Sequence, residues 1–200
     1  MSKLEILVDV DGVLADFTSE VLATLHNING INYTIDMVDQ WHIEKALDLD
    51  RDDWAECVNH IQSPGFARNL KPYPGAIEAV KKLAEYHEVC FVTADWRGSP
   101  TWVFDRNHWL TDHFGPLGKK VVHTSHKYRV CGNVLIEDKP ANIHQWAPRQ
   151  KGSAILFDRP YNRSYTDDQG VFKIEGNVHY MTRVHDWEEA LEAINKVKLL

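Results

Sequence analysis

The fold is indicated first by residues 4–17, which read LEILVDVDGVLADF. Leu4 to Val8 form a short apolar run with β-branched members, a pattern typical of a buried strand. The run leads into an acidic loop in which Gly12 follows Asp9 and Asp11. The segment therefore predicts a strand whose carboxyl end presents two carboxylates on a turn.

A helical segment follows this loop. Apolar residues at helical spacing predict a helix over residues 17–29. Asp36 is suited to cap a second helix that runs to Leu47, and residues 50–61 predict a third. Because no clear strand pattern occurs between residues 18 and 73, we expect this segment to be helical throughout.

The remainder of the chain alternates between helical and strand patterns. Helices are predicted over residues 76–86, 101–114, 141–146 and 187–197, and strands over residues 88–93, 120–123, 133–136, 153–157 and 178–181. Residues 158–176 are rich in polar and turn residues, and we expect a long loop there. The alternation predicts an α/β protein with a parallel sheet covered on both faces.

Composition and charge exclude several classes of protein. The 200 residues are 44% hydrophobic and 26% charged, as in ordinary globular proteins. A formal net charge of −7 argues against a surface for nucleic-acid polymers, and any phosphate site must supply its own local positive charge. No apolar run is long enough to cross a membrane, and the charged N-terminal residues do not resemble a signal peptide. We therefore expect a cytoplasmic protein that does not bind membranes.

Metal and disulfide frameworks built on cysteine or histidine are not predicted. The three cysteines are widely spaced and form no CxxC pair, which argues against a disulfide framework or a zinc knuckle. The eleven histidines are scattered, with no HExxH motif.

Polar residues with reactive side chains occur at four strand ends or in the loops that follow them. In a parallel sheet these ends lie along one edge, where ligands bind. The candidates are Asp9 and Asp11 after the first strand, Thr93 at the second, Lys127 after the third, and Glu137 and Asp138 after the fourth.

This combination fits phosphoryl transfer. Several carboxylates cannot remain ionised side by side without a cation, and Mg²⁺ prefers one or two carboxylates together with water and phosphate oxygens. A hydroxyl and an ammonium can hold the remaining phosphoryl oxygens. One carboxylate can then attack phosphorus, while another protonates the leaving oxygen and later activates water.

The same segments resemble the four motifs of the haloacid dehalogenase superfamily. Residues 9–14, DVDGVL, resemble its first motif and residues 91–94, FVTA, its second. Lys127 resembles its third motif, and residues 135–139, LIEDK, its fourth. The chain is most similar to the 5'(3')-deoxyribonucleotidase branch, through DGVLADF, NLKPYPGA at residues 69–76, HFG at 113–115 and LFD followed by PYN at 156–162.

The resemblance implies a Rossmann-like, three-layer core of residues 1–17 and 74–200, with residues 18–73 forming a small helical cap inserted after the first strand. It also implies hydrolysis of (deoxy)nucleoside monophosphates with Mg²⁺ as cofactor. Asp9 would be the nucleophile and Asp11 the general acid and base. Mg²⁺ would be held by the Asp9 carboxylate, the Asp11 backbone carbonyl and Asp138, with Glu137 nearby. Thr93, the Ala94 amide and Lys127 would hold the phosphate.

The cap region supplies large aromatic residues that suit a planar base. In this branch of the family the phenylalanine after the first motif, here Phe17, packs on the nucleobase, and we expect the same contact. Trp41 is a further candidate for base contact, and for Trp96 substrate contact and a packing role both remain open. We expect Trp54 and Phe66 to form the core of the cap.

One position departs from the family pattern. The branch usually has serine after the threonine of the second motif, whereas this chain has Ala94. One hydroxyl contact to phosphate is therefore missing.

Three alternatives remain open from the sequence. A phosphatase of the same fold would act on sugar phosphates or other small phosphoesters, and an inactive relative would only bind phosphate. A receiver domain also combines aspartate, threonine and lysine, but it has no inserted cap and does not need Asp11 to release a leaving group. Whether the protein forms a homodimer is also left open.

Overall fold

The computed structural model describes residues 3–165, 171–174 and 177–197. Within these ranges the chain forms one seven-stranded sheet in the order β3-β2-β1-β4-β5-β7-β6. The strands are β1 (Glu5–Val8), β2 (Glu88–Thr93), β3 (Val121–His123), β4 (Val134–Glu137), β5 (Ser153–Phe157), β6 (Val171–Ile174) and β7 (Asn177–Val184). Six strands are parallel, and β6 pairs antiparallel to β7 at the edge.

Strand β1 lies near the middle of the sheet, with β2 on one side and β4 on the other. Leu7 stands in register with Cys90 of β2 and Leu135 of β4. Because all three strands run in the same direction, their carboxyl ends meet at one edge. The loop that carries Asp9 is therefore flanked by the ends of both neighbours.

Helices cover both faces of the sheet. They are α1 (Phe17–Asn29), α2 (Ile43–Ala46), α3 (Arg51–Ile61), α4 (Phe66–Asn69), α5 (Ala76–Tyr86), α6 (Trp102–Phe114), α7 (Pro140–Gln150) and α8 (Trp187–Asn195). Ile6 and Val8 pack into the larger hydrophobic cluster, which includes residues of α5, α6 and α8. Leu7 points to the other face and joins a second cluster with Trp146 of α7. The predicted α/β architecture of three layers is confirmed.

The segment between β1 and α5 is helical, as predicted, but one of its helices differs. The expected helix from Asp36 to Leu47 is wrong, because the chain forms a 3-10 turn at Ile35–Met37 and then only the four-residue α2. Residues 39–42 between them are not helical. Trp41 lies in this break, where it is 46% exposed and its ring contacts that of Tyr161.

The predicted long loop over residues 158–176 is also wrong in part. It contains a 3-10 helix at Pro160–Tyr165 and the edge strand β6, while residues 166–170 and 175–176 lie outside the described residues. The strand expected over residues 178–181 extends over the whole of β7, and the helix expected over 141–146 extends over α7. Among the described residues, β6 pairs with β7 at the edge of the sheet, and such a short edge strand gives little strand signal in the sequence because strand preference depends on its neighbours.

None of the helices in the described ranges combines the length and the apolar content that a membrane span requires.

Candidate active site

All of the sequence-predicted site residues line one cavity of about 250 Å³ at the carboxyl edge of the sheet. They are Asp9, Asp11, Phe17, Trp41, Thr93, Ala94, Trp96, Lys127, Glu137 and Asp138. Additional lining residues to which the sequence analysis assigned no role include Ser125, Lys139 and Tyr161. The strand ends and the helical segment thus meet around a single space.

Three carboxylates form a buried cluster on the floor of this cavity. Asp9, Glu137 and Asp138 are each less than a tenth exposed, and each offers a ligand oxygen within 4.8 Å of the others. Burial, followed by the charge of Glu137, raises the pKa of Asp9 and of Asp138 well above the usual range of aspartate. A group of this kind attracts a cation.

Lys127 supplies the compensating charge within the protein. Its Nζ lies 2.6 Å from Asp9 Oδ1 and 2.8 Å from Glu137 Oε2. Although burial opposes both effects, the two carboxylates raise the pKa of Lys127, and Lys127 lowers the pKa of Glu137 to about 2. Glu137 and Lys127 therefore remain charged at neutral pH and hold each other in place.

Glu137 serves chiefly as a hydrogen-bond acceptor for its own loop. Its carboxylate accepts hydrogen bonds from Lys127, from the backbone N–H groups of Asp138 and Lys139, and from Asn142 Nδ2 at 3.0 Å. The oxygens of Glu137 are thus already engaged. This arrangement suits a residue beside a metal rather than a direct ligand.

Asp138, unlike Glu137, has a carboxylate oxygen that is not engaged by any described residue. Its Oδ2 accepts a hydrogen bond from the Tyr161 hydroxyl. Its Oδ1 is buried and has no hydrogen-bond partner among the described residues. A buried carboxylate oxygen without a partner is costly in a folded protein. Together with the carboxylate oxygens of Asp9, this orphaned oxygen makes the cluster fit a small divalent cation such as Mg²⁺, which takes oxygen ligands.

A glycine allows the first loop to approach Asp138. Gly12 has φ +79°, and a Cβ at this position would collide with the Asp138 carboxylate and the Tyr161 hydroxyl. The Gly12 carbonyl accepts a hydrogen bond from Arg159 Nε at 2.8 Å. The glycine predicted as part of the turn is therefore required for two reasons, its positive φ and the close approach of the Asp138 carboxylate.

Asp11 is held by a residue that the sequence motifs did not indicate. Arg106 Nη2 lies 2.5 Å from Asp11 Oδ1, and the arginine side chain is fully buried while that of Asp11 is 27% exposed. Burial raises the pKa of Asp11, although Arg106 and Lys127 act in the opposite direction. The sequence held one indication of this role. Arg106 is a charged residue at helical spacing from Trp102 and Trp109, so it lies on the same buried face of the helix as these two tryptophans.

The cavity is also lined by Thr93, Ala94 and Lys127, the residues predicted to hold phosphate, and by Ser125. Thr93 is almost fully buried, and its hydroxyl lies 3.4 Å from the Ala94 carbonyl, a weak contact. The hydroxyl is therefore available to a ligand.

Aromatic rings form the wall of the cavity on the side of α1 and α6. The Phe17 ring lies 5.6 Å from that of Trp96 and 6.3 Å from that of Trp102. Phe66 is buried and packs on Phe17 from behind, at 6.0 Å. Phe17 and Trp96 thus both face the cavity and support each other. Trp54 is partly buried against the core and is not among the residues that line the cavity.

Trp41 stands apart from this wall. Its ring meets Tyr161 edge-on at 5.5 Å, and Lys139 Nζ lies 4.1 Å from its centre. Tyr161 in turn donates its hydrogen bond to Asp138. The helical segment therefore contacts the acidic cluster through one intervening side chain.

Comparison with known proteins identifies similarities along almost the whole chain. Residues 3–200 match the family described as 5' nucleotidase, deoxy (pyrimidine), cytosolic type C protein. A relative from Bordetella bronchiseptica is 31% identical over 166 residues, which cover 81% of this chain and 87% of the relative. A relative from Staphylococcus epidermidis is 25% identical over 199 residues, 99% of each chain. Both are described as candidate 5'(3')-deoxyribonucleotidases.

Solved structures show the same fold at lower identity. YfnB of Bacillus subtilis, a candidate haloacid dehalogenase-type hydrolase solved with bound magnesium, aligns with a TM-score of 0.59 and 14% identity over 98% of this chain and 100% of its own. A haloacid dehalogenase-like candidate hydrolase from Burkholderia xenovorans aligns with a TM-score of 0.57 and 14% identity over 96% of each chain. The expected Rossmann-like fold of this superfamily, with a helical segment after the first strand, is confirmed.

Proposed function

The chain belongs to the family of deoxy (pyrimidine) 5' nucleotidases of cytosolic type C, and on this premise we propose that it is a magnesium-dependent phosphatase. It hydrolyses (deoxy)nucleoside monophosphates to nucleoside and phosphate through an aspartyl phosphate on Asp9. The observation that carries the proposal is the meeting of Asp9, Asp11, Thr93, Lys127 and Asp138 in one cavity. The family's description also supports a cytosolic location.

The first half of the reaction forms the aspartyl phosphate. A carboxylate oxygen of Asp9 attacks phosphorus, and the bond from phosphorus to the ester oxygen of the nucleoside breaks. Asp11 donates its proton to that leaving oxygen. Thr93, the Ala94 amide and Lys127 hold the phosphoryl oxygens during the transfer.

The second half releases phosphate. Asp11, now ionised, takes a proton from water, and the water oxygen attacks the phosphorus of the aspartyl phosphate. The bond between phosphorus and the Asp9 carboxylate breaks, which restores both aspartates.

Mg²⁺ would be held by the Asp9 carboxylate, the Asp11 backbone carbonyl and Asp138. When bound, it offsets the negative charge that the phosphate and the carboxylates bring together. Glu137 contributes by holding Lys127. The overall charge of −7 makes these local cations necessary for an anionic substrate.

We propose that residues 18–73 act as a cap over a core of residues 1–17 and 74–200. Phe17 and Trp96 would take the nucleobase, since both rings line the cavity. Trp41 would close the opposite side, where it already contacts Tyr161. A lid of this kind excludes water from the reaction.

The proposal is tested with a panel of phosphomonoesters in the presence of Mg²⁺. Deoxynucleoside monophosphates should give a higher kcat/KM than sugar phosphates. Equal values would reject the nucleotidase proposal and favour a general small-phosphoester phosphatase of the same fold.

The covalent step is tested with Asp9→Asn. This variant should lose turnover while keeping the circular dichroism spectrum of the wild type, because the amide is not a nucleophile of comparable strength. Near-normal turnover in Asp9→Asn would reject the aspartyl-phosphate intermediate. A folded wild type that binds phosphate but hydrolyses no phosphate ester would reject the phosphatase activity itself.

A further inference from the structure

We propose that Arg106 is a positioning residue for Asp11: it holds one carboxylate oxygen from the protein side, so that the other oxygen is presented to the leaving group. The proposal rests on the role of Asp11 as general acid in the proposed function. It concerns a residue that lies outside the cavity lining and outside all four sequence motifs.

The position of Arg106 follows from helix α6. Trp102, Arg106 and Trp109 are spaced by four and three residues, so they share one face of the helix. The Arg106 guanidinium carbon lies 5.4 Å from the Trp102 ring centre and 5.6 Å from that of Trp109. Two large rings therefore restrict the guanidinium to a narrow range of orientations.

Arg106 contacts Asp11 from the protein interior and not from the cavity. Arg106 is 0% exposed and does not line the cavity, whereas Asp11 does. Arg106 Nη2 binds Asp11 Oδ1 at 2.5 Å, and the structure records no hydrogen bond from the described residues to the second oxygen of Asp11. One oxygen is thus fixed, and the other is available for proton transfer.

A buried arginine at this position is unfavourable for the stability of the fold alone. Arg106 Nε and Nη1 are buried and lack hydrogen-bond partners among the described residues. Buried unpaired donors destabilise a fold, and an apolar residue would pack the same space without this penalty. The hydrogen bond that the guanidinium does make within the described part of the chain goes to the proposed general acid.

The test compares two leaving groups. An alkoxide, as in a deoxynucleoside 5'-monophosphate, needs the proton from Asp11, whereas the phenolate of 4-nitrophenyl phosphate leaves readily without it. The measured quantity is the ratio of kcat/KM for the two substrates on the same preparation. Any loss of folded enzyme cancels in this ratio, so a partly destabilised variant remains informative.

The variants are Arg106→Met, which removes the charge and the hydrogen bond, and Arg106→Lys, which retains a charge without the planar fork. General acid catalysis accelerates a reaction roughly 100-fold or more. We therefore expect Arg106→Met to lower kcat/KM for the nucleotide about 100-fold and kcat/KM for 4-nitrophenyl phosphate less than about 10-fold. Arg106→Lys should fall between Arg106→Met and the wild type. Asp11→Asn provides the reference for complete loss of the acid.

The matched control is Arg68→Met. Arg68 also pairs with a carboxylate of α6, Asp112, at 2.9 Å, but on the surface and away from the cavity. This variant should leave the ratio unchanged. Adding Arg106→Met to Asp11→Asn should produce no further loss on the nucleotide, because the arginine acts only through Asp11.

The proposal is overturned if Arg106→Met lowers both substrates equally, if it leaves the nucleotide rate intact, or if its effect adds to that of Asp11→Asn. Failure of the nucleotidase proposal is a separate result, seen with the wild type alone. If the wild type prefers a sugar phosphate, that ester replaces the nucleotide as the alkyl substrate, and the same ratio decides the role of Arg106.

Discussion

At the scale of single residues, the buried carboxylates depend on Lys127 for their charge balance. The ammonium contacts Asp9 and Glu137, and all three side chains are almost completely buried. Removing one partner of a buried ion pair leaves an uncompensated charge, which costs more than the pair itself contributes.

Lys127→Met should therefore unfold more easily as well as lose activity. Breaking a buried pair of this kind lowers the free energy of unfolding by about 3–5 kcal/mol, which urea denaturation without metal would measure. The control is Lys120→Met, because Lys120 makes its ion pair with Glu88 on the surface, where solvent screens it. Equal stability of the two variants would contradict the charge-balance argument.

Gly12 is the second residue whose role depends on a close approach. Gly12→Ala should lower Mg²⁺ affinity and turnover, because the new methyl group would displace Asp138 and Tyr161. A non-glycine residue at positive φ also costs about 1–3 kcal/mol in itself. Isothermal titration with Mg²⁺ and a steady-state assay would measure the two losses.

Gly30→Ala separates the cost of a positive φ from the collision with Asp138. Gly30 has a similar φ of +74° at the end of α1, but a Cβ added there would have nothing within 4 Å. This variant should lose some stability and retain its Mg²⁺ affinity. Equal Mg²⁺ affinity in the Gly12 and Gly30 variants would show that the approach to Asp138 is unimportant.

At the scale of elements, the segment between α1 and α3 is where the sequence was least informative. The 3-10 turn at Ile35–Met37 and the short α2 replace one expected helix. Short helices are marginal on their own, and their extent is set by the contacts they make. Here those contacts include Trp41 against Tyr161.

Trp41→Ala should weaken nucleotide binding more than it lowers the rate of the chemical step. Stacking on an aromatic ring contributes about 1–3 kcal/mol per base, so KM for a deoxynucleotide should rise about 10-fold while kcat for 4-nitrophenyl phosphate changes little. Met37→Ala is the matched control, since both residues are 46% exposed on the same segment. Parallel losses on both substrates would argue that Trp41 only supports the fold.

At the scale of the whole molecule, the acidic cluster couples stability to metal and pH. Burial raises the pKa of Asp9 and of Asp138, so the folded chain resists their ionisation more than the unfolded chain does. Without metal, stability should fall as the pH rises from the usual aspartate range through these raised pKa values. Glu137, with a pKa of about 2, acts in the opposite sense, but only at lower pH.

Mg²⁺ should reverse this loss, because it binds the ionised carboxylates. A ligand at about a hundred times its Kd adds about 2.7 kcal/mol to the free energy of unfolding, which thermal denaturation would detect as a higher Tm. The gain should grow with pH over the same window and should largely disappear in Asp138→Asn. A gain that is independent of pH, or that persists in the variant, would place the metal elsewhere.

The sequence by itself determined the alternation of helices and strands and the polar strand ends that meet at the cavity. Residues 6–8 of β1 and 154–157 of β5 are continuous apolar runs because both faces of these strands are buried, and the polar residues that follow them mark the edge where ligands bind. Asp9, Thr93, Lys127 and Asp138 could therefore be assigned to one place from spacing and residue type alone.

The tertiary structure decided what no local pattern encodes. Arg106 reaches Asp11 across 95 positions of the chain, and Tyr161 reaches Asp138 across 23, so neither contact has a sequence period. The edge strand β6 and the broken helix after α1 likewise depend on the partners they meet. The physical reason is that spacing along the chain reports which face a residue occupies, whereas long-range packing determines which side chain it meets there.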